Sequence, residues 1–165
     1  MRVIGGNLKG KKLLIPLDKS TRPLRDMVRE SIFNILYHST KVSKNLNNSK
    51  VLDLFSGTGS FGIECLSRGA QEVIFFENYS NSIKILKNNI FNLKLERKTK
   101  VYESNAYNLK EANLKNEIFD IIFLDPPFKD KEINVLIEQI KIMKIADINT
   151  LIIIHRNKKS EENIS

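Results

Sequence analysis

The alternation of short apolar runs with segments of helical periodicity constrains the fold of this chain more than any other feature. The run at residues 119–124 is almost unbroken and stops at two prolines, as expected for a strand that is covered on both faces of a sheet. Similar runs predict four further strands, at residues 51–55, 73–76, 151–154 and, more weakly, 100–103.

Helical patterns occupy the intervals between these runs. Residues 60–68 predict a helix that Gly69 ends, and apolar side chains recur at helical spacing in residues 83–90 and 133–140. This order implies an α/β fold with a doubly wound, mostly parallel sheet and right-handed crossovers. Ligands bind beyond the carboxyl ends of the strands in such sheets, so the residues that follow each strand form the candidate site.

Charge is concentrated in the first third of the chain. Residues 1–50 hold 11 Lys and Arg against 3 Asp and Glu, a balance equal to the net charge of +8 of all 165 residues. Such an excess favours a partner rich in phosphate, although a composition biased toward Lys, Asn and Ile is an alternative explanation. In the same third, a helix is predicted to leave Arg25 and Arg29 facing outward, because its apolar stripe consists of Val28, Ile32, Ile35 and Leu36.

Several classes of protein are disfavoured by what the sequence lacks. Residues 1–10 do not resemble a signal peptide, and no run of about 18 apolar residues is present to span a membrane. The single cysteine, Cys65, excludes an internal disulfide and a cysteine cluster for metal. We therefore expect a cytoplasmic protein with no metal site. A monomer is expected as well, although none of these features bears on the oligomeric state.

A glycine-rich turn follows the first predicted strand. Residues 57–62 match G-x-G-x-x-G, which also fits nicotinamide enzymes and is weak evidence by itself. Asp53 favours another ligand, because a carboxylate repels a pyrophosphate but attracts the cationic amino-acid end of S-adenosylmethionine. Cofactor contacts are therefore predicted for Asp53, Phe55, Ser56, Gly57, Thr58 and Gly59.

Two other strand ends carry candidate cofactor residues. Glu77 follows the second strand, where nucleoside-binding folds place an acid for the ribose hydroxyls. Asn105, next to Ala106, follows the third strand and has an amide oxygen that can accept from an adenine amine, although a turn-forming role is equally compatible.

The fourth strand ends in the most specific motif, Asp125-Pro126-Pro127-Phe128. The prolines fix φ and remove two N–H donors, so the Asp125 carboxylate and the Pro126 carbonyl can both accept from one NH₂ group. Accepting both N–H bonds exposes the nitrogen lone pair of a base amine to an electrophilic methyl. Phe128 offers a flat face on which the base can stack.

Together these residues resemble a class I methyltransferase, and the first third of the chain resembles one family in particular, over residues 2 to about 156. The motifs that carry this second resemblance are Arg2-Val3-Ile4-Gly5-Gly6, Lys9-Gly10-Lys11 and Thr21-Arg22-Pro23, followed by Asp26, Arg29, Glu30, Phe33 and Asn34. They are similar to the RsmD family of ribosomal RNA guanine-N2 methyltransferases.

The resemblance implies methyl transfer from S-adenosylmethionine to the N2 amine of a guanine in small-subunit (16S) ribosomal RNA. It implies that Asp125, Pro126, Pro127 and Phe128 grip the base, and that the glycine turn, Glu77 and the Asn105 region hold the cofactor. The residues expected to meet RNA are the basic ones of the first third: Arg2, Lys9, Lys11, Lys12, Arg22, Arg25 and Arg29.

The expected organisation is a single domain over residues 1–165. Residues 1–49 form a basic extension and helix, residues 50–156 the cofactor-binding and catalytic core, and residues 157–165 a polar tail. Two departures from the family are expected: Asn105 stands where such enzymes usually carry an aspartate, and the polar residues 157–165 predict no antiparallel hairpin of the kind that follows the fifth strand in relatives. His38 and His155 lie outside the motifs and receive no role.

Three other functions remain open at this level. A DNA adenine or cytosine amino-methyltransferase uses the same strand-end motif, but this chain lacks a second domain to read DNA sequence. A non-catalytic ribosome-binding protein of the same fold fits the two departures. A nicotinamide-dependent oxidoreductase is disfavoured by Asp53 and by the Asp-Pro-Pro-Phe motif.

Overall fold

A central parallel sheet organises the molecule. The computed structural model describes residues 1–17, 24–42, 44–127 and 132–156. Its five strands are β1 (Lys50–Leu54), β2 (Glu72–Phe76), β3 (Thr99–Tyr102), β4 (Ile121–Leu124) and β5 (Leu151–Ile154). All neighbouring strands pair in parallel, in the order β3-β2-β1-β4-β5. The predicted doubly wound α/β fold is confirmed.

Helices cover both faces of this sheet, which is why its central strands are mostly apolar. One face packs against α1 (Asp26–His38), α2 (Ser60–Ser67) and α3 (Ser80–Asn92) through a core that includes Val51, Phe75 and Phe123. The other face packs against α4 (Ile133–Met143) and a 3₁₀ helix, Ala106–Glu111, through Leu52, Ile74 and Ile122. No helix among the described residues is long and apolar enough to cross a membrane.

The N-terminal segment, residues 1–17, lies on α2. Arg2 and Lys12 form an antiparallel bridge that buries Val3 and Leu13. The backbone N–H groups of Ile4 and Gly5 donate to the carboxylate of Glu64 at 2.8 and 2.7 Å, and Glu64 is itself fully buried. These bonds join the basic extension to the helix that follows the glycine turn.

The predicted outward orientation of Arg29 is wrong. Arg29 is 0% exposed, donates from Nη2 to the carbonyl of Arg2 at 2.5 Å and pairs with Asp26 at 2.9 Å. The buried face of α1 consists of Arg29, Phe33 and Leu36, whereas Ile35 is 53% exposed. The reason is tertiary: the N-terminal segment covers this part of α1 and provides a carbonyl for the guanidinium.

Other differences from the predicted elements are small. The first strand ends at Leu54 because Phe55 adopts a positive φ of 62°, and β4 begins at Ile121. The predicted polar tail, residues 157–165, and the expected absence of a C-terminal hairpin lie outside the described residues.

Candidate active site

The carboxyl ends of β1 and β4 are adjacent at the centre of the sheet. Leu54 pairs with Leu124, and the Asp125 N–H donates to the Leu54 carbonyl at 3.3 Å. Asp53 pairs with Phe123, and since side chains alternate between faces, Asp53 and Asp125 lie on the same face. The glycine turn and the Asp-Pro-Pro segment therefore lie side by side.

Left-handed backbone shapes the turn after β1. Phe55, Gly57 and Gly59 have φ values of 62°, 56° and 80°. A Cβ at Gly57 would meet nothing within 4 Å, so the backbone is open to a ligand, whereas a Cβ at Gly59 would lie 2.3 Å from Leu86 Cδ1. Two further residues hold the turn to its surroundings: Ser56 Oγ donates to the carbonyls of Asp53 and Phe76, and the buried Thr58 accepts from Asn89 through its carbonyl.

Asp53 combines deep burial with an unsatisfied oxygen. It is 1% exposed, and its Oδ2 accepts from the Gly62 N–H at 3.0 Å. Its Oδ1 is buried and has no hydrogen-bond partner. Burial raises the pKa of Asp53 well above the ordinary value, and the nearby Asp125 and Glu77 add to the effect. An unsatisfied buried acceptor is costly, so this oxygen has the capacity to accept a hydrogen bond from a further donor.

Glu77 joins the end of β2 to the glycine turn. One oxygen accepts from the Gly57 N–H at 2.7 Å, and the other accepts from the N–H groups of Asn78 and Tyr79 at 2.9 Å each. Glu77, which the sequence predicts to bind the ribose hydroxyls, thus lies beside the glycine turn. It also stiffens the turn, a role that the sequence did not indicate.

Asn105 adopts the turn-forming role that the sequence left open. Its amide oxygen accepts from the Tyr107 N–H at 3.0 Å and caps the 3₁₀ helix, while its neighbour Ala106 is buried. The rings of Tyr107 and Phe55 pack in a T-shaped, edge-to-face arrangement with 5.5 Å between their centroids. Sequence reasoning missed Tyr107, which carries no motif.

Asp125 lies at the tip of β4 with its side chain 25% exposed. Burial raises its pKa, and a hydrogen bond and charge from His155 act in the opposite direction. The Nδ1 of His155 lies 2.7 Å from Asp125 Oδ1. Pro126 is buried and Pro127 is exposed, while Phe128 lies outside the described residues. His155 was missed, although its position after β5 matches that of Asp125 after β4.

The basic residues divide into three groups. Arg29 is buried, as described above, and Arg22 lies outside the described residues. The exposed ones are Arg2, Lys9, Lys11, Lys12 and Arg25. Within the part of the chain that the structure describes, no group of three or more His, Cys, Asp or Glu is arranged to hold a metal ion.

Comparison with known proteins gives consistent matches over nearly the whole chain. A family model described as conserved hypothetical protein 95 matches residues 1–165. YlbH of Bacillus subtilis, provisionally named an rRNA methyltransferase, is 35% identical over 162 residues, covering 98% of this chain and 85% of that protein. The ribosomal RNA small subunit methyltransferase D of Buchnera aphidicola is 32% identical over 157 residues, covering 95% of this chain and 78% of its relative.

Solved structures agree with these matches. A provisionally named methylase of Haemophilus influenzae superposes with a TM-score of 0.76 at 29% identity. The match covers 98% of this chain and 84% of the Haemophilus influenzae chain. An Escherichia coli protein, provisionally titled a methyltransferase, gives a TM-score of 0.71 at 30% identity. The match covers 92% of this chain and 74% of the Escherichia coli chain.

Proposed function

The chain belongs to the family described as conserved hypothetical protein 95, which is the RsmD family, and on this premise we propose that it methylates small-subunit ribosomal RNA. The proposed reaction moves a methyl group from S-adenosylmethionine to the N2 amine of a guanine. The observation that carries the proposal is the adjacency of Asp125 to the turn that follows Asp53.

The residues of the glycine turn fit the methyl donor. Asp53 Oδ1, buried and without a partner, suits the cationic amino group at the amino-acid end of the donor. Gly57 leaves its backbone open, and Glu77 and Asn105 stand at the neighbouring strand ends for the ribose and adenine. When bound, S-adenosylmethionine supplies a methyl group that the positive charge of its sulfonium already activates.

The end of β4 fits the base. The Asp125 carboxylate and the Pro126 carbonyl together can accept both N–H bonds of the guanine amine, which directs the nitrogen lone pair away from them. Phe128 is proposed to stack on the base, which must leave its helical stack to reach the site. The contribution of these residues is positioning and exclusion of water, and the proton that the amine loses passes to Asp125 or to solvent.

The N-terminal segment is proposed to meet the RNA backbone. Its exposed cations, Arg2, Lys9, Lys11 and Lys12, lie on the segment that is bonded to α2, directly after the glycine turn. Arg25 adds a further exposed charge at the start of α1. We propose that this extension and the core act as one domain, with the basic surface bringing RNA to the strand ends.

A radiolabelled donor tests the proposed function directly. Incubation with small ribosomal subunits from a strain that lacks this methylation, followed by nucleoside analysis, should yield N2-methylguanosine. Label in duplex DNA instead would favour an amino-methyltransferase acting on DNA. Absence of donor binding in a calorimetric titration of the folded protein would favour a non-catalytic ribosome-binding protein.

The variant Asp125→Ala should abolish turnover and leave donor affinity nearly unchanged, because Asp125 is assigned to the base and not to the donor. Glu138→Ala is a matched control, since Glu138 is an exposed carboxylate on α4 that forms a surface ion pair with Lys141. Comparable loss of turnover and of donor affinity in Asp125→Ala would contradict the assigned role.

A further inference from the structure

A histidine is joined to the carboxylate that is proposed to grip the base. His155 Nδ1 and Asp125 Oδ1 are 2.7 Å apart, and the two side chains are 30% and 25% exposed. Among the described residues, none forms a hydrogen bond with the other oxygen, Oδ2. Within the described part of the chain, one oxygen of Asp125 is therefore held by His155, and the other has no protein partner.

The sheet itself brings the two side chains together. Leu124 pairs with Ile154, so Asp125 and His155 occupy the next position on adjacent parallel strands and face the same side. The His155 N–H donates to the Leu124 carbonyl at 2.9 Å, and the Asp125 N–H donates to the Leu54 carbonyl. Because both backbones are held by ladder hydrogen bonds, the contact does not depend on a loop.

We propose that His155 is a positioning residue for Asp125: its Nδ1–H donates to Oδ1 and fixes the carboxylate, so that Oδ2 is presented to the target amine. The inference rests on the proposed function. A carboxylate without such a partner rotates about its side-chain bonds, and a small misplacement of a group that aligns the attacking atom is costly in rate.

The charges around Asp125 determine how the pair responds to pH. Among the described residues, His155, directly after β5, is the only group that lowers the pKa of Asp125, and burial is the cause that raises it. Asp53 on β1 is an acidic neighbour of Asp125, and Glu77 at the end of β2 acts in turn on Asp53. Removing His155 should therefore raise the pKa of Asp125 further and leave less of it ionised at a given pH.

Three variants separate positioning from folding. His155→Leu removes the donor, whereas His155→Asn retains an N–H close to the position of Nδ1. His38→Leu makes the same change at an exposed histidine at the end of α1, remote from the strand ends. Methyl transfer to small subunits, donor affinity and thermal unfolding are measured for each.

The proposal expects kcat to fall roughly 10- to 100-fold in His155→Leu, with donor affinity unchanged and with the acid limb of the kcat profile moved to higher pH. His155→Asn should recover most of the rate and the position of that limb, and His38→Leu should match the unaltered protein. A loss of rate in His155→Leu without a shift of the limb, or an equal loss in His155→Asn, would overturn it.

A spectroscopic measurement distinguishes failure of this inference from failure of the proposed function. The ¹⁵N chemical shifts of the imidazole should show a proton on Nδ1 of His155. In Asp125→Ala, the Nδ1–H tautomer should no longer be the preferred one. A proton on Nε2 alone in the unaltered protein overturns the inference even if the enzyme is active. Nδ1 protonation in a protein that transfers no methyl group would overturn only the function.

Discussion

At the scale of single residues, two carboxylates on one face of the sheet, the buried Asp53 and the partly buried Asp125, have different surroundings. Asp53 accepts a backbone N–H on one oxygen and leaves the other without a partner, whereas Asp125 is paired with a histidine. Burial raises the pKa of both. A cationic ligand group suits the first and a neutral amine suits the second, which is the division of roles that methyl transfer to a base requires.

Asp53→Asn should weaken binding of S-adenosylmethionine by roughly 10- to 100-fold, because a hydrogen bond to a charged group contributes about 1.5–3 kcal/mol. The amide oxygen can still accept from Gly62, so the fold should persist, as thermal unfolding can verify. Calorimetric titration measures the affinity, with Glu138→Gln as the surface control. An unchanged affinity would remove Asp53 from the cofactor site.

The same residue predicts how donor binding depends on pH. Since burial raises the pKa of Asp53, the free protein retains a proton there above the ordinary carboxyl range, and a protonated Asp53 does not attract a cation. Donor affinity should therefore rise as pH increases and Asp53 loses this proton, and Asp53→Asn should flatten the dependence.

The raised pKa of Asp53 also affects stability. Between the ordinary carboxyl pKa and the raised pKa, the folded state keeps a proton that the unfolded chain releases, so the contribution of Asp53 lowers the free energy of unfolding as pH rises through this range.

At the scale of elements, the N-terminal segment is held to α2 by close backbone contact. The Leu8 N–H donates to Ser67 Oγ, and Ser67 Oγ donates to the Gly5 carbonyl. A Cβ on Gly6 would lie 1.8 Å from the Ser67 carbonyl oxygen. Glycine is required here because the two backbones touch, and this contact places the basic residues beside α2, the helix that follows the glycine turn.

Gly6→Ala should destabilise the protein more than Gly10→Ala, because only Gly6 lies against α2. The difference between the two variants therefore reports on the packing of residues 1–17 against α2. Both residues have a positive φ, of 76° and 83°, but a Cβ at Gly10 would meet nothing within 4 Å. Strain alone should cost about 1–2 kcal/mol at either position, and displacing the segment should add roughly 1–3 kcal/mol at Gly6. Chemical denaturation measures both, and equal losses would mean that residues 1–17 do not rest on α2 in solution.

At the scale of the whole molecule, the net charge of +8 is carried by the first 50 residues, and four of their exposed cations, Arg2, Lys9, Lys11 and Lys12, lie on one docked segment. Contacts between such cations and phosphate release counterions, so RNA affinity should fall as salt rises. The rest of the chain is balanced in charge, and the N-terminal segment is therefore the surface that we propose to contact RNA.

Replacing Lys9, Lys11 and Lys12 together by Gln should make the salt dependence of RNA affinity shallower. The negative slope of log affinity against log salt should decrease in magnitude by about 2, if each lysine contacts one phosphate of a single strand. A triple control that makes the same change at the exposed Lys94, Lys98 and Lys115, outside the N-terminal segment, should have a much smaller effect. Filter binding of small-subunit RNA over a salt series measures both. Equal slopes for the two triple variants would show that bulk charge, and not this surface, governs binding.

The sequence by itself determined the strands, the parallel α/β fold and the two motifs at the ends of β1 and β4, because periodicity and turn chemistry are local properties of the chain. Only the tertiary structure decided which face of α1 is buried, that Asp53 keeps an oxygen without a partner, and that His155 meets Asp125. Each of these depends on which element becomes a neighbour. Arg29 and Arg2 are 27 residues apart, and Asp125 and His155 are 30 apart, and only the folded chain brings them into contact.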